Sequence, residues 1–204
     1  LSQAPWTLPS TASILTSTYP SQHGVTTLKY LFLDEENESV AEVLERSGYR
    51  TAAISATPVI SHKFKFSQGF EVFDETCYKW LDVKSAECMT DTAIRWLDTV
   101  QAGEPFFLYL HYFDPHAPYS PPPPYNDRYN PGYEPKDKRV ARGDIKDFDQ
   151  KIIYLGRNSL KQRDIDHFIA LYDGEIRYAD SEVGRLFLEL KTRGLYENSA
   201  IIII

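Results

Sequence analysis

The run Pro105–Tyr112, PFFLYLHY, does most to limit what this chain can fold into. It is short, apolar and rich in aromatics, which predicts a buried strand. Helical patterns bracket it on both sides. Upstream, Ala86, Met89, Ala93, Trp96, Leu97 and Val100 recur at steps of three and four, the mark of an amphipathic helix. Downstream, Ile165, Phe168, Ile169, Tyr172, Ile176, Ala179, Val183, Leu186, Phe187 and Leu190 predict a helix from about Gln162 to Arg193, stopped by Gly194. Helices alternating with short buried strands predict an α/β fold, a mainly parallel sheet flanked by helices on both faces.

The remaining segments fit that frame. Residues 10–17 carry Ala12, Ile14 and Leu15 and predict a short helix begun by Pro9 or Ser10. Ser39-Val-Ala-Glu42 is a capping box, with Val40, Val43 and Leu44 on one helical face and Gly48 as the stop. Residues 50–56 are β-prone, and 70–73 read as a further small strand. The chain closes on Ile201-Ile202-Ile203-Ile204, a β-branched run expected to be a fully buried parallel strand. A strand that stops without its exit loop, in a chain whose only methionine is Met89, reads as a fragment. Eight of the 13 prolines fall between Asp114 and Pro135, which predicts a long, partly extended loop. A charged, exposed excursion is expected after it, over 136–151, so that loop and excursion together interrupt a single partial domain, 1–204, at about 114–160.

Composition narrows the partners. A net charge of −7 opposes a phosphate backbone and excludes nucleic acid as the expected partner. No apolar run approaches the roughly 18 residues a membrane helix needs. Two cysteines, Cys77 and Cys88, give no disulfide framework. Such sparse use weakly favours a reducing, cytoplasmic setting, with room for a single bridge.

Three segments carry residues suited to chemistry. In Pro5-Trp6-Thr7-Leu8-Pro9-Ser10 a hydroxyl stands beside a proline-initiated helix, whose positive end can hold an anion. A nearby metal could deprotonate that hydroxyl. The plainer reading is that Thr7 or Ser10 caps the helix. His111-Tyr-Phe-Asp114-Pro-His116 leaves the C-terminal end of the predicted strand and enters the long loop, where α/β sheets keep reactive groups. His111, Asp114 and His116 are candidates for substrate binding or proton transfer; the alternative is a satisfied histidine beside an Asp-Pro turn. His23, His62 and His167 read as structural or exposed. In Tyr172-Asp173-Gly174-Glu175, a glycine inside a helix costs roughly 1 kcal/mol, which predicts a close approach of neighbouring backbone at Gly174.

Taken in order, these segments resemble the sulfatase family of the alkaline-phosphatase superfamily. The matching stretches are PWTLPSTASILT (5–16), YPSQHG (19–24), SGYRTA (47–52), PFFLYLHYFDPHAPY (105–119) and LYDGEIRYAD (171–180), followed by Gly184 and GLYEN (194–198). The resemblance implies that Thr7 is the catalytic nucleophile and a metal ligand, and that His116 is the substrate-side catalytic histidine. Ser10, His111 and Asp114 would bind substrate. The chain departs from the family pattern in three places. Thr7 stands where the residue oxidised to formylglycine is expected, Thr11 replaces an arginine, and Ala52-Ala53-Ile54 follow where a lysine-containing element is usual.

The implied activity is metal-dependent hydrolysis of a sulfate or phosphate ester. A phosphodiesterase or phosphoglycerol-type transferase with a threonine nucleophile, or an inactive relative that binds an anionic ligand, are the alternatives. The substrate would be a small-molecule, glycan or lipid-type anionic ester. The cofactor would be Ca, Mg, Mn or Zn, with the remaining ligands expected before Leu1 and after Ile204, so that this chain alone would hold no metal.

Overall fold

The computed structural model describes residues 2–26, 32–78, 85–136, 138–141, 143–144 and 160–204. They form two compact units, Leu1–Tyr78 with Thr92–Tyr112, and Lys79–Asp91 with Phe113–Ile204.

The first unit holds a three-stranded parallel sheet in the order β2-β1-β3. Its strands are β1 (Arg50–Ser55), β2 (Val72–Asp74) and β3 (Phe106–His111). Register pairs Ala53 with Tyr109 and Ser55 with His111, so the polar ends of β1 and β3 lie side by side. Helix α1 (Thr7–Thr16) buries Leu8, Ala12 and Leu15 in a core with Val25, Leu33, Ile60 and Phe66. Tyr109 of β3 packs against this core. Helix α1 starts three residues before the position expected from Ser10. The first turn has no intrahelical use for its N–H groups, so Pro9 fits inside it without breaking the helix.

The short helix α2 (Pro20–His23) follows, then α3 (Val40–Arg46). The predicted capping box is present: Ser39 N–H donates to Glu42 Oε2 at 2.7 Å, and Glu42 N–H donates to Ser39 Oγ at 3.2 Å. The buried residue of α3 is Ala41, whereas Val40 and Val43 are exposed. Helix α4 (Ala86–Leu97) matches its periodicity, with Met89, Ala93 and Leu97 buried.

In the second unit, α5 (Lys138–Ala141) is one short turn and α6 runs from Gln162 to Thr192, 31 residues. The expected charged excursion is only partly within the described residues. There it carries Val140, fully buried against Phe168 with Tyr119 and Leu160 alongside. Along α6 the buried face is His167, Phe168, Leu171, Gly174, Glu175, Tyr178, Leu186 and Leu190, while Ile169, Tyr172 and Ile176 are exposed. Polar partners select that face. Ser120 N–H donates to Glu175 Oε1 at 2.7 Å, and a Cβ on Gly174 would come within 2.7 Å of the Tyr125 carbonyl oxygen. The close approach expected at Gly174 is therefore real.

Two expectations are corrected. Ile201–Ile204 form no strand and are 39–83% exposed. β-branched residues favour a pleated surface, but only a ladder partner turns that preference into a buried strand. Cys77 and Cys88 are both disulfide-bonded, which removes the compositional argument for a reducing compartment, because such bridges persist in oxidising ones. Among the described residues no helix is long and apolar enough to cross a membrane.

Candidate functional site

Thr7 is the first residue of α1, following the extended N-cap Trp6, which makes no side-chain cap. Neither reading of Thr7 or Ser10 as the cap holds. Pro9 has no N–H, and Ser10 N–H donates back to the Trp6 carbonyl at 3.3 Å. The helix therefore leaves the N–H groups of Thr7 and Leu8 without intrahelical acceptors. The first turn carries no acidic residue, so its positive end is not neutralised locally. The Ser10 hydroxyl lies 2.9 Å from the Ala4 carbonyl, to which it donates, and 2.7 Å from Ser2 Oγ. Those contacts tie residues 2–4 to the helix.

Thr11, 2% exposed, hydrogen-bonds the Tyr109 hydroxyl, which lies 3.0 Å from His111 Nδ1. A polar relay thus links α1 to the C-terminal end of β3. Burial pushes Tyr109 up to about 12 and His111 down to about 4, so both are neutral near pH 7. Tyr109 was not singled out by its sequence. The signal was there in the period of two, since Phe107, Tyr109 and His111 share one face of β3.

The burial of His111 predicts an acid-sensitive first unit. Its pKa is about 4 in the fold against 6.5 when unfolded, so the unfolded chain binds the extra proton between those values. The contribution is whole above pH 6.5 and is lost as pH falls through 4, at most on the order of 3 kcal/mol for a ring that keeps some accessible surface. His111→Gln should flatten the fall in denaturation midpoint between pH 7 and pH 4. Parallel profiles for the two proteins would show that another group is responsible.

In the second unit, Asp114 is 5% exposed and its Oδ2 accepts from Ser85 Oγ at 2.6 Å, while Oδ1 has no partner among the described residues. Ser85 stands just before α4, where a serine would cap the helix. Its hydroxyl goes to Asp114 instead, and the Glu87 N–H donates to the Tyr178 oxygen at 3.1 Å. His116 is exposed and stacks on Phe113 with ring centroids 4.3 Å apart. Its Nδ1 lies 2.7 Å from the Ala117 carbonyl oxygen. A carbonyl only accepts, so Nδ1 carries the proton and Nε2 is left as the reactive nitrogen.

The structure thus brings Thr7, Ser10 and His111 into the first unit and Asp114 and His116 into the second. A further buried pair, Ser13 Oγ and His23 Nε2 at 3.0 Å, is not a nucleophile and base. Val25 N–H donates to His23 Nδ1 at 3.1 Å. The neutral ring therefore carries its proton on Nε2 and donates to Ser13, and burial holds its pKa down. Among the described residues no group of three or more His, Cys, Asp or Glu could hold a metal ion. Thr7 would offer one oxygen where calcium takes about 6–8. These residues do not by themselves fit a divalent cation.

A family model described as Sulfatase matches residues 1–204. The chain belongs to the sulfatase family. Solved structures share the fold of this chain at low identity. One, solved with its substrate D-glucosamine-2-N,6-O-disulfate, is 18% identical at a TM-score of 0.68, covering 97% of this chain and 55% of its own. The phosphonate monoester hydrolase of Agrobacterium radiobacter is 17% identical at a TM-score of 0.70, covering 96% and 52%. A putative sulfatase of Bacteroides fragilis is 19% identical at 0.66, covering 97% and 50%. The chain spans about half the length of these structures.

Proposed function

We propose that the full-length protein hydrolyses sulfate or phosphate esters, with Thr7 as the nucleophile. The observation that supports this most directly is the sulfatase-family match over 1–204, taken with Thr7 at the first position of α1. A hydroxyl there lies beside a helix end that favours negative charge, where charge develops when a sulfuryl or phosphoryl group is attacked. In the step assigned to this chain, the Thr7 hydroxyl gives up its proton to solvent, its oxygen bonds to sulfur or phosphorus, the ester bond breaks and the leaving oxygen takes a proton; water then cleaves the Thr7 ester, releasing sulfate or phosphate and restoring the hydroxyl. A divalent cation would supply Lewis-acid stabilisation of that charge. Its protein ligands are not a set that the described residues provide.

The resemblance gives His116 the leaving-group side. Its geometry suits the role, because Nδ1–H is fixed on the Ala117 carbonyl and Nε2 is left to carry the transferred proton. His116→Ala should lower turnover of alkyl esters by roughly 10²-fold or more and of 4-nitrophenyl esters far less, since nitrophenolate leaves without protonation. Equal losses on both would remove His116 from proton transfer.

The reading as a whole is tested by assaying the full-length protein with Mn, Mg, Ca or Zn against aryl sulfate, phosphate monoester and phosphodiester substrates. Turnover of one class would identify the ester. Sulfate binding with no turnover under any metal would support the binding-only reading, which the threonine at position 11 in place of an arginine favours.

A further inference from the structure

His116 sits exposed on the loop 113–120, and two buried acidic side chains of the second unit hold that loop on either side of it. On the upstream side Asp114, 5% exposed, accepts from Ser85 Oγ at 2.6 Å and so ties the loop to the start of α4. On the downstream side Glu175 of α6, 1% exposed, accepts from the Ser120 N–H at 2.7 Å. Beside it the Tyr119 N–H donates to the Gly143 carbonyl at 2.9 Å. Between these anchors the His116 N–H closes a turn on the Phe113 carbonyl at 2.8 Å. The ring rests on Phe113 and on the Ala117 carbonyl, both within the same loop, so the path of the backbone sets its direction.

We propose that Asp114 and Glu175 are positioning residues for His116, clamping its loop so that the ring keeps Nδ1–H on Ala117 and Nε2 in one direction. Burying an acidic side chain is costly unless hydrogen bonds offset it, and both of these spend theirs on the one loop. Asp114 is a poor substrate contact: Ser85 takes its Oδ2, and a negative charge there would oppose an anionic ester. A proton-transfer group displaced by about 1 Å can lose roughly 10²-fold in rate, which is what the two anchors prevent. The catalytic consequence rests on the ester-hydrolase reading, whereas the clamp on the ring does not.

The test uses the full-length protein with isotope-labelled histidine, read by NMR in mildly alkaline buffer where imidazoles are neutral. His116→Ala identifies the His116 ring signals. In the wild type they should report the proton on Nδ1. Asp114→Ala, Ser85→Ala and Glu175→Ala should each shift them toward the tautomer mixture of a free histidine. Asp114→Asn and Glu175→Gln keep an oxygen acceptor and should return the wild-type signals. Each alanine variant should also lower kcat on alkyl esters about tenfold or more, with KM and the turnover of 4-nitrophenyl esters nearly unchanged. Unshifted ring signals in folded Asp114→Ala and Ser85→Ala proteins would overturn the proposal. So would a raised KM in Asp114→Ala with a normal Ser85→Ala, since Asp114 would then touch substrate. If His116→Ala loses both ester classes equally, the leaving-group reading fails while the ring signals still decide the clamp. Should Glu175→Ala unfold, Glu175→Met fills a similar volume without the oxygen acceptor and carries the same test.

Discussion

Thr7→Ala in the full-length protein is expected to reduce ester turnover by roughly 10³–10⁶-fold, the range seen when a covalent nucleophile is removed. Substrate binding should change little, because alanine leaves the N–H groups of residues 7 and 8 and the positive helix end in place. Thr7→Ser should retain much of the activity, since it restores the hydroxyl at the same position. The fold should tolerate both changes: Thr7 makes no cap hydrogen bond in the helix start, and the buried anchor of the first turn is Leu8. Steady-state kinetics with circular dichroism as the folding control decides it. A Thr7→Ala protein that keeps wild-type turnover would end the nucleophile assignment, whatever the substrate.

A large stability effect is expected at Gly69. Its φ is +78°, and a Cβ there would sit 2.2 Å from the Glu42 backbone nitrogen and 2.7 Å from the Ala41 carbonyl carbon. Those atoms belong to the first turn of α3, which cannot give way without disturbing the Ser39–Glu42 capping box. Ser39 Oγ also donates to the Gln68 carbonyl at 3.3 Å, so the loop and the helix end are held together from both sides. Gly69→Ala combines left-handed backbone strain with overpacking against backbone and should cost roughly 3 kcal/mol or more. Gly48→Ala is the control. Its φ is +84° but nothing lies within 4 Å of its Cβ position, so only the strain applies. Urea midpoints should fall much further for Gly69→Ala than for Gly48→Ala. Equal falls would mean that α3 moves aside freely.

Much of the secondary structure was legible because it follows from local chemistry. The capping box at Ser39 and Glu42 satisfies helix donors with groups three residues apart, and needs nothing distant. The period-three-and-four pattern of α4, the aromatic run of β3 and the length of α6 are likewise properties of neighbouring residues. Gly174 was legible for a related reason: a glycine in a helix interior is costly unless something uses the missing Cβ, and the Tyr125 carbonyl does. The family motifs also sit in local strings, Thr7 and His116 among them.

Other features required the folded chain. Hydropathy predicted a buried strand at Ile201–Ile204, yet burial needs a partner ladder, and no property of four isoleucines supplies one. The disulfide-bonded state of Cys77 and Cys88 was open in composition, because bridging depends on where two chain segments meet. The burial of Glu175 on α6, in place of Ile169 or Ile176, was decided by the Ser120 N–H that it accepts. The Thr11–Tyr109–His111 relay joins a helix to a strand about 100 residues away, and burial there sets the neutral state of His111. Local pattern was enough to mark residues fit for chemistry and most of the elements that carry them. Their protonation and hydrogen-bond partners came with the folded chain, because those depend on burial and on groups that no local pattern brings together.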